Sequence, residues 1–175
     1  MTYQIHSGIL YENCEKSVTR KLAYIKYPFS FTKKQILSPS NELLLTADIE
    51  LIDSGKNDDA RNYILLAPNN QRIIVGVPGY AENSDPEIFG WPLSHAPRCD
   101  HVSFRYLNQD FQLQMLNTQY YMITDVRGQR IMDFIHNGFI GGWTVHTYMD
   151  FEPSIILGLF IFSKYLDKEN EFLIV

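Results

Sequence analysis

The segment Ser94-His95-Ala96-Pro97-Arg98-Cys99-Asp100-His101 places four chemically capable side chains, His95, Cys99, Asp100 and His101, within seven residues. Imidazole and thiolate are zinc ligands, and imidazole moves protons near neutral pH. The spacing matches no standard zinc pattern, so a further ligand would have to come from elsewhere, His136 or His146 being the candidates. A cysteine nucleophile needs a base within hydrogen-bond reach and an oxyanion donor, and sequence places neither. Against both stands the plain reading of an ordinary proline-rich loop with a half-buried Cys99 and surface histidines. No GxSxG, Walker loop, HExxH or helix-opening GxGxxG occurs. Gly138, Gly141 and Gly142 precede a strand pattern, which makes them a bend rather than a phosphate cradle. The residues therefore assign no catalytic group, no metal and no cofactor.

Charge supplies a second candidate. The 175 residues carry a formal charge of −5, which argues against a nucleic-acid binder held by phosphate neutralisation. The charge is uneven. Residues 1–40 hold six basic side chains (Lys16, Arg20, Lys21, Lys26, Lys33, Lys34) and two acidic ones (Glu12, Glu15), while the remainder is net acidic. Arg20, Lys21, Lys26, Lys33 and Lys34 thus form a candidate surface for an anionic phospholipid headgroup or an acidic protein. Solvated pairing with the acidic body is the plain alternative. Trp91, Trp143 and Phe89 either mark a partner patch or cap a core.

These residues need a scaffold. With 45% hydrophobic residues, 11 Tyr and 11 Phe, the chain has material for one packed domain spanning 1–175. Two cysteines suit a reducing cytoplasm, and the N-terminal residues show no secretion-signal pattern. Alternating or short β-rich runs predict strands at 43–52, 63–67, 72–77, 102–107, 111–116, 120–124, 130–135 and 143–148. Weaker runs lie at 3–5, 22–27, 29–32 and 172–175. Loops are expected at 38–41, at 53–59 and along the proline-bearing stretch 79–97. Asp125-Val126-Arg127-Gly128 fits a type I turn with a left-handed Gly. Strands at this density protect their edges most simply by closing into a barrel.

One segment departs from the strand pattern. From Ile155 to Phe162 only Gly158 interrupts large apolar side chains, following Pro153 at a first-turn position. Such a helix is greasy all round and belongs in a core or a membrane. Pro153 to Leu166 would span about 21 Å, short of the roughly 30 Å of a bilayer core. A buried helix filling a wide barrel is expected, with Gly158 admitting a close neighbour.

The hairpin Tyr121-Met-Ile-Thr-Asp125-Val-Arg-Gly128, the strand Arg130-Ile-Met-Asp-Phe-Ile135, the strand Gly142-Trp-Thr-Val-His-Thr-Tyr148 and Asp150 leading into the apolar helix are all present. Together they resemble the tubby C-terminal-like superfamily, which includes tubby domains, phospholipid scramblases and LURP-one-related proteins. The resemblance covers residues 102–166. It implies a closed antiparallel barrel of about twelve strands around a hydrophobic helix near 153–166. The basic phosphoinositide pocket of tubby and the cysteine-rich and calcium segments of scramblases have no counterpart here, so the fold transfers without those activities. The expected function is a non-enzymatic cytoplasmic binding module for a protein partner or an anionic phospholipid, with no nucleic acid and no transmembrane segment. The alternatives are an inhibitor or immunity-type protein, and a small enzyme or metal protein using His95, Cys99 and His101.

Overall fold

The computed structural model describes residues 1–13, 19–27, 32–52, 61–80 and 99–171. Twelve strands are present among them: β1 (Thr2–His6), β2 (Ile9–Asn13), β3 (Thr19–Lys26), β4 (Lys34–Leu37), β5 (Leu43–Leu51), β6 (Arg61–Leu66), β7 (Arg72–Tyr80), β8 (Cys99–Tyr106), β9 (Gln109–Asn117), β10 (Tyr120–Asp125), β11 (Arg130–His136) and β12 (Trp143–Thr147). Each pairs antiparallel with its chain neighbour, and β1 closes on β12 through Thr2–His146 to Ile5–Trp143. The result is a closed barrel, in which every described strand has a neighbour on both sides.

The helix α1 (Pro153–Glu171) fills it. A barrel of eight strands is closed by its own wall side chains, whereas twelve leave a lumen that something must occupy. A helix with side chains is about 10–12 Å across and meets that need. Every residue from Ser154 to Ser163 is buried, and the wall contributes Leu10, Ile36, Tyr63, Leu65, Leu113 and Phe134 to the same core. Ser163 satisfies its hydroxyl by donating to the Phe160 carbonyl at 2.7 Å. At Gly158 a Cβ would overlap the Leu65 methyls of β6, so the close approach expected there is made by a strand side chain. The start is fixed by the Ile155 and Ile156 amides donating to the Glu152 carbonyl.

The structure corrects several expectations. The helix runs to Glu171 rather than ending near Leu166, because its last turns are polar and anchor to the mouth instead of filling the lumen. Short strands at Ile9–Asn13 and Lys34–Leu37 carry too few residues for alternation to register. Residues 29–31 and 172–175, and the whole of the expected 53–59 loop, lie outside the described residues. Gly79 does not open the expected loop, since β7 continues through Pro78 and Gly79 to Tyr80, and residues 81–97 lie outside the described residues. Pairing of β7 with β6 stops at Gly76, so among the described residues Pro78 is paired only towards β8, an edge-like place where a missing amide donor is tolerated. The Asp125–Gly128 turn forms as expected, with Gly128 at φ +76° and its amide donating to the Asp125 carbonyl at 3.0 Å.

Strand direction distinguishes the two ends of the barrel. One end holds tight connections at 38–42, 67–71, 107–108 and 125–129, together with the entry of α1. At the opposite end, the mouth, β3, β5, β7 and β11 finish, β4, β6, β8 and β12 begin, residues 137–142 connect β11 to β12, and α1 finishes.

Candidate functional site

Connections at one end of a rigid barrel are the usual carriers of function, and the mouth of this one carries the β11–β12 connection. Between β11 and β12 the chain makes a single 3-10 turn, Gly138–Ile140. Phe139 is 113% exposed and Ile140 88%, the two most exposed large apolar side chains described. Exposing an aromatic and a branched aliphatic side chain together forgoes several kcal/mol of burial, about 1.5–3 for each. The turn is braced. The Asn137 amide donates to the Gly142 carbonyl at 3.0 Å, the Gly138 amide to His136 Nδ1 at 3.2 Å, and the Thr144 hydroxyl to Asn137 Oδ1 at 2.8 Å. Gly142 sits at φ +79° against the His6 ring, where a Cβ would also fall 2.8 Å from the Ile5 carbonyl oxygen. Only glycine fits both constraints.

Further round the rim, past the β1–β2 turn, stand Lys26, Tyr27, Lys33 and Lys34. Four strand spacings of about 4.8 Å put this group roughly 20 Å from the Phe139 turn. Tyr27 is 64% exposed, and the Lys34 ammonium lies 5.2 Å from its ring centroid. Lys34 and Ala47 are paired across β4 and β5 on the inward face. Partial burial, then the like charge of Lys168 on the last turn of α1, lower the Lys34 pKa. The basic surface expected from sequence is thus split. Arg20 and Lys21 lie towards the opposite end of β3, some six residues or roughly 20 Å from Lys26, and the Lys21 ammonium packs 3.9 Å over Tyr24.

The histidine and cysteine cluster is placed differently from its expected loop. Cys99, Asp100 and His101 open β8, with Asp100 the unmatched residue between the pairs Tyr80–Cys99 and Gly79–His101. This bulge hid the alternation that would have marked a strand. His95, together with Phe89 and Trp91, lies outside the described residues. Cys99 is buried, its thiol donates to the His101 carbonyl at 3.7 Å, and burial next to Glu169 pushes its pKa up to about 12. A thiol held neutral is a poor nucleophile. His101 bonds its neighbour Asp100 at 2.7 Å, and His146 bonds the Thr2 hydroxyl at 3.2 Å on the outer wall. Among the described residues no three metal-ligating side chains converge.

Three arrangements were not anticipated. Glu169 on the last turn of α1 accepts from Tyr63 at 3.2 Å and pairs with Arg61 at 3.3 Å, beside a cavity of about 140 Å³ that Asn62 and Cys99 also line. On the outer wall a broader groove of about 860 Å³ crosses β7 to β10, over Val77, Arg105, Gln112, Gln114, Met122 and Val126. Just inside the mouth, Lys164 sits among Trp143, Tyr121 and Phe160. The bracketing of Phe139-Ile140 by Gly138 and Gly141-Gly142 was the available signal for the exposed pair; the others join residues too distant in sequence to be seen together.

Comparison with protein-family models, with curated proteins and with solved structures finds no match for this chain. Among the described residues no helix is long and apolar enough to cross a membrane.

Proposed function

We propose that the barrel is a non-enzymatic binding module that docks its mouth on an anionic phospholipid surface. The observation that carries this reading is the braced, fully projecting Phe139–Ile140 pair on the same rim as Tyr27, Lys26, Lys33 and Lys34. An apolar tip that enters the acyl boundary and nearby cations that meet headgroup charge are the two elements of peripheral membrane binding. The neutral, buried Cys99 favours binding over catalysis. Kinship with the tubby-like superfamily belongs to the same proposal, and the twelve-strand barrel around a buried C-terminal helix supports it.

Flotation with vesicles containing phosphatidylserine, at low salt, is the test. Binding is expected, weakened by salt and lost in the double substitution Phe139→Asp, Ile140→Asp, while Lys26→Glu with Lys33→Glu reduces it on anionic vesicles. Absence of flotation by the wild-type protein at low salt removes the lipid reading. The second reading, a protein partner, is favoured by the 860 Å³ outer groove with its mixed apolar and amide lining. Under that reading Met122→Arg, not the Phe139 pair, abolishes capture of the partner.

A further inference from the structure

Inside the mouth, the ammonium of Lys164 lies 4.1 Å from the Trp143 ring centroid, 5.1 Å from that of Tyr121 and 5.7 Å from that of Phe160. Asp167 places a carboxylate oxygen 3.5 Å from the same nitrogen. Three aromatic rings and a carboxylate around one cation are the chemistry that recognises an organic ammonium, each ring offering its negative face. The walls stand on regular elements. Trp143 and Tyr121 lie on strands β12 and β10, Phe160 is on the buried part of α1, and the His136 ring packs edge-on to Trp143 at 4.9 Å. Tyr121 and Trp143 are in contact at 5.6 Å, and Trp143 and Phe160 at 5.5 Å. The occupant is the flexible part: a lysine on a four-carbon stem, 33% exposed at the solvent edge.

We infer that this cage is a binding site for a quaternary ammonium joined to an anion, of the phosphocholine type, with Lys164 as its tethered occupant. A simple cation would have to displace Lys164 and leave two positive charges side by side. A zwitterion avoids that cost, because the displaced ammonium can turn to the ligand's phosphate while the methylated cation takes its place among the rings. Methyl groups also suit the rings better than a primary ammonium, which sheds water reluctantly. The same chemistry is offered by free phosphocholine and by a choline lipid headgroup. The site stands on its own contacts and does not require the membrane reading.

Calorimetry on the whole chain tests it, with phosphocholine, choline chloride and inorganic phosphate as separate probes. The wild-type protein is expected to bind phosphocholine in preference to either fragment. Lys164→Ala is expected to bind choline about tenfold more tightly than the wild type, the scale of one desolvated cation–π contact, and to lose the preference for phosphocholine. Equal choline affinity in the two proteins overturns the inference. Should Lys164→Ala fail to fold, the wild-type indole N–H resonance of Trp143, assigned by Trp143→Phe, decides: it must shift saturably with phosphocholine, and an unmoved resonance overturns the site. Replacing phosphatidylcholine by phosphatidylethanolamine in phosphatidylserine vesicles then separates the sources, since only a lipid-borne ligand makes flotation depend on the exchange.

Discussion

At the scale of single residues, the side chains with the most to lose are the buried polar ones. Asp133 is 1% exposed although it points to the outer face of β11. The Tyr120 hydroxyl donates to Oδ1 at 3.2 Å, the Tyr148 hydroxyl to Oδ2 at 3.4 Å, and Arg130 lies 3.5 Å away. Removing the carboxylate takes the acceptor from two hydroxyls and the partner charge from Arg130, which still donates to the Tyr120 oxygen at 2.9 Å. Asp133→Ala is expected to lower stability by about 1–3 kcal/mol in urea unfolding, and Asp133→Asn by less, because the amide oxygen still accepts. Cys99 gives a pH prediction. Its thiol pKa is raised from the ordinary 9.0 to about 12 by burial first and by Glu169 next. Below pH 9 both folded and unfolded chains hold the proton, and the folded advantage is fully present. Above it the unfolded chain ionises first, so stability falls between about pH 9 and 12. Tyr63, whose pKa burial also raises, adds to the decline above its ordinary 10.0. Urea midpoints of wild type and Cys99→Ala across this range should converge as pH rises; parallel curves would show that Cys99 plays no part.

At the scale of elements, α1 and β6 meet at Gly158 and Leu65, where there is no room for another methyl. Gly158→Ala gains helix propensity but overpacks the core, and the net expectation is a loss of about 1–3 kcal/mol. Adding Leu65→Val should recover part of it, a coupling that thermal melts of the two single variants and the double variant measure directly. The same elements show what a linear reading could see. Residues 45–51 of β5, 102–106 of β8 and 111–115 of β9 alternate, and residues 155–162 of α1 are apolar on all sides, so strands and helix declare their surroundings. Strands β2 and β4, of five and four residues, do not. Cys99 to His101 read as loop because prolines precede them and the bulge at Asp100 breaks their alternation. The rim lysines were legible as a composition bias, but which of them share an end depends on strand direction and length. The cage around Lys164 unites β10, β12 and α1, a juxtaposition that only the closed barrel creates.

At the scale of the molecule, wall and helix share one core, so neither is expected to persist alone. Leu65, Phe134 and Tyr63 have their partners on α1, with Tyr63 and Phe134 in ring contact with Phe162 and Phe160 at 5.6 Å. A chain truncated after Asp150 is expected to lose its cooperative thermal transition, as followed by circular dichroism; a sharp melt in the truncated form would show that the wall closes on its own side chains. Closure also demands that residues 2–5 find residues 143–146, so folding is expected to be slow for this length, on the order of milliseconds to seconds in stopped-flow fluorescence.

The passage of α1 from the tight-turn end to the mouth has one more consequence. The shaft works as a mandrel: it sets the bore from within, so the diameter of the tube does not depend on the segments that link its strands at that end. Those segments can lengthen, shorten or change chemistry while the bore stays put, which makes the mouth a place where new specificities can be grafted without redesigning the vessel.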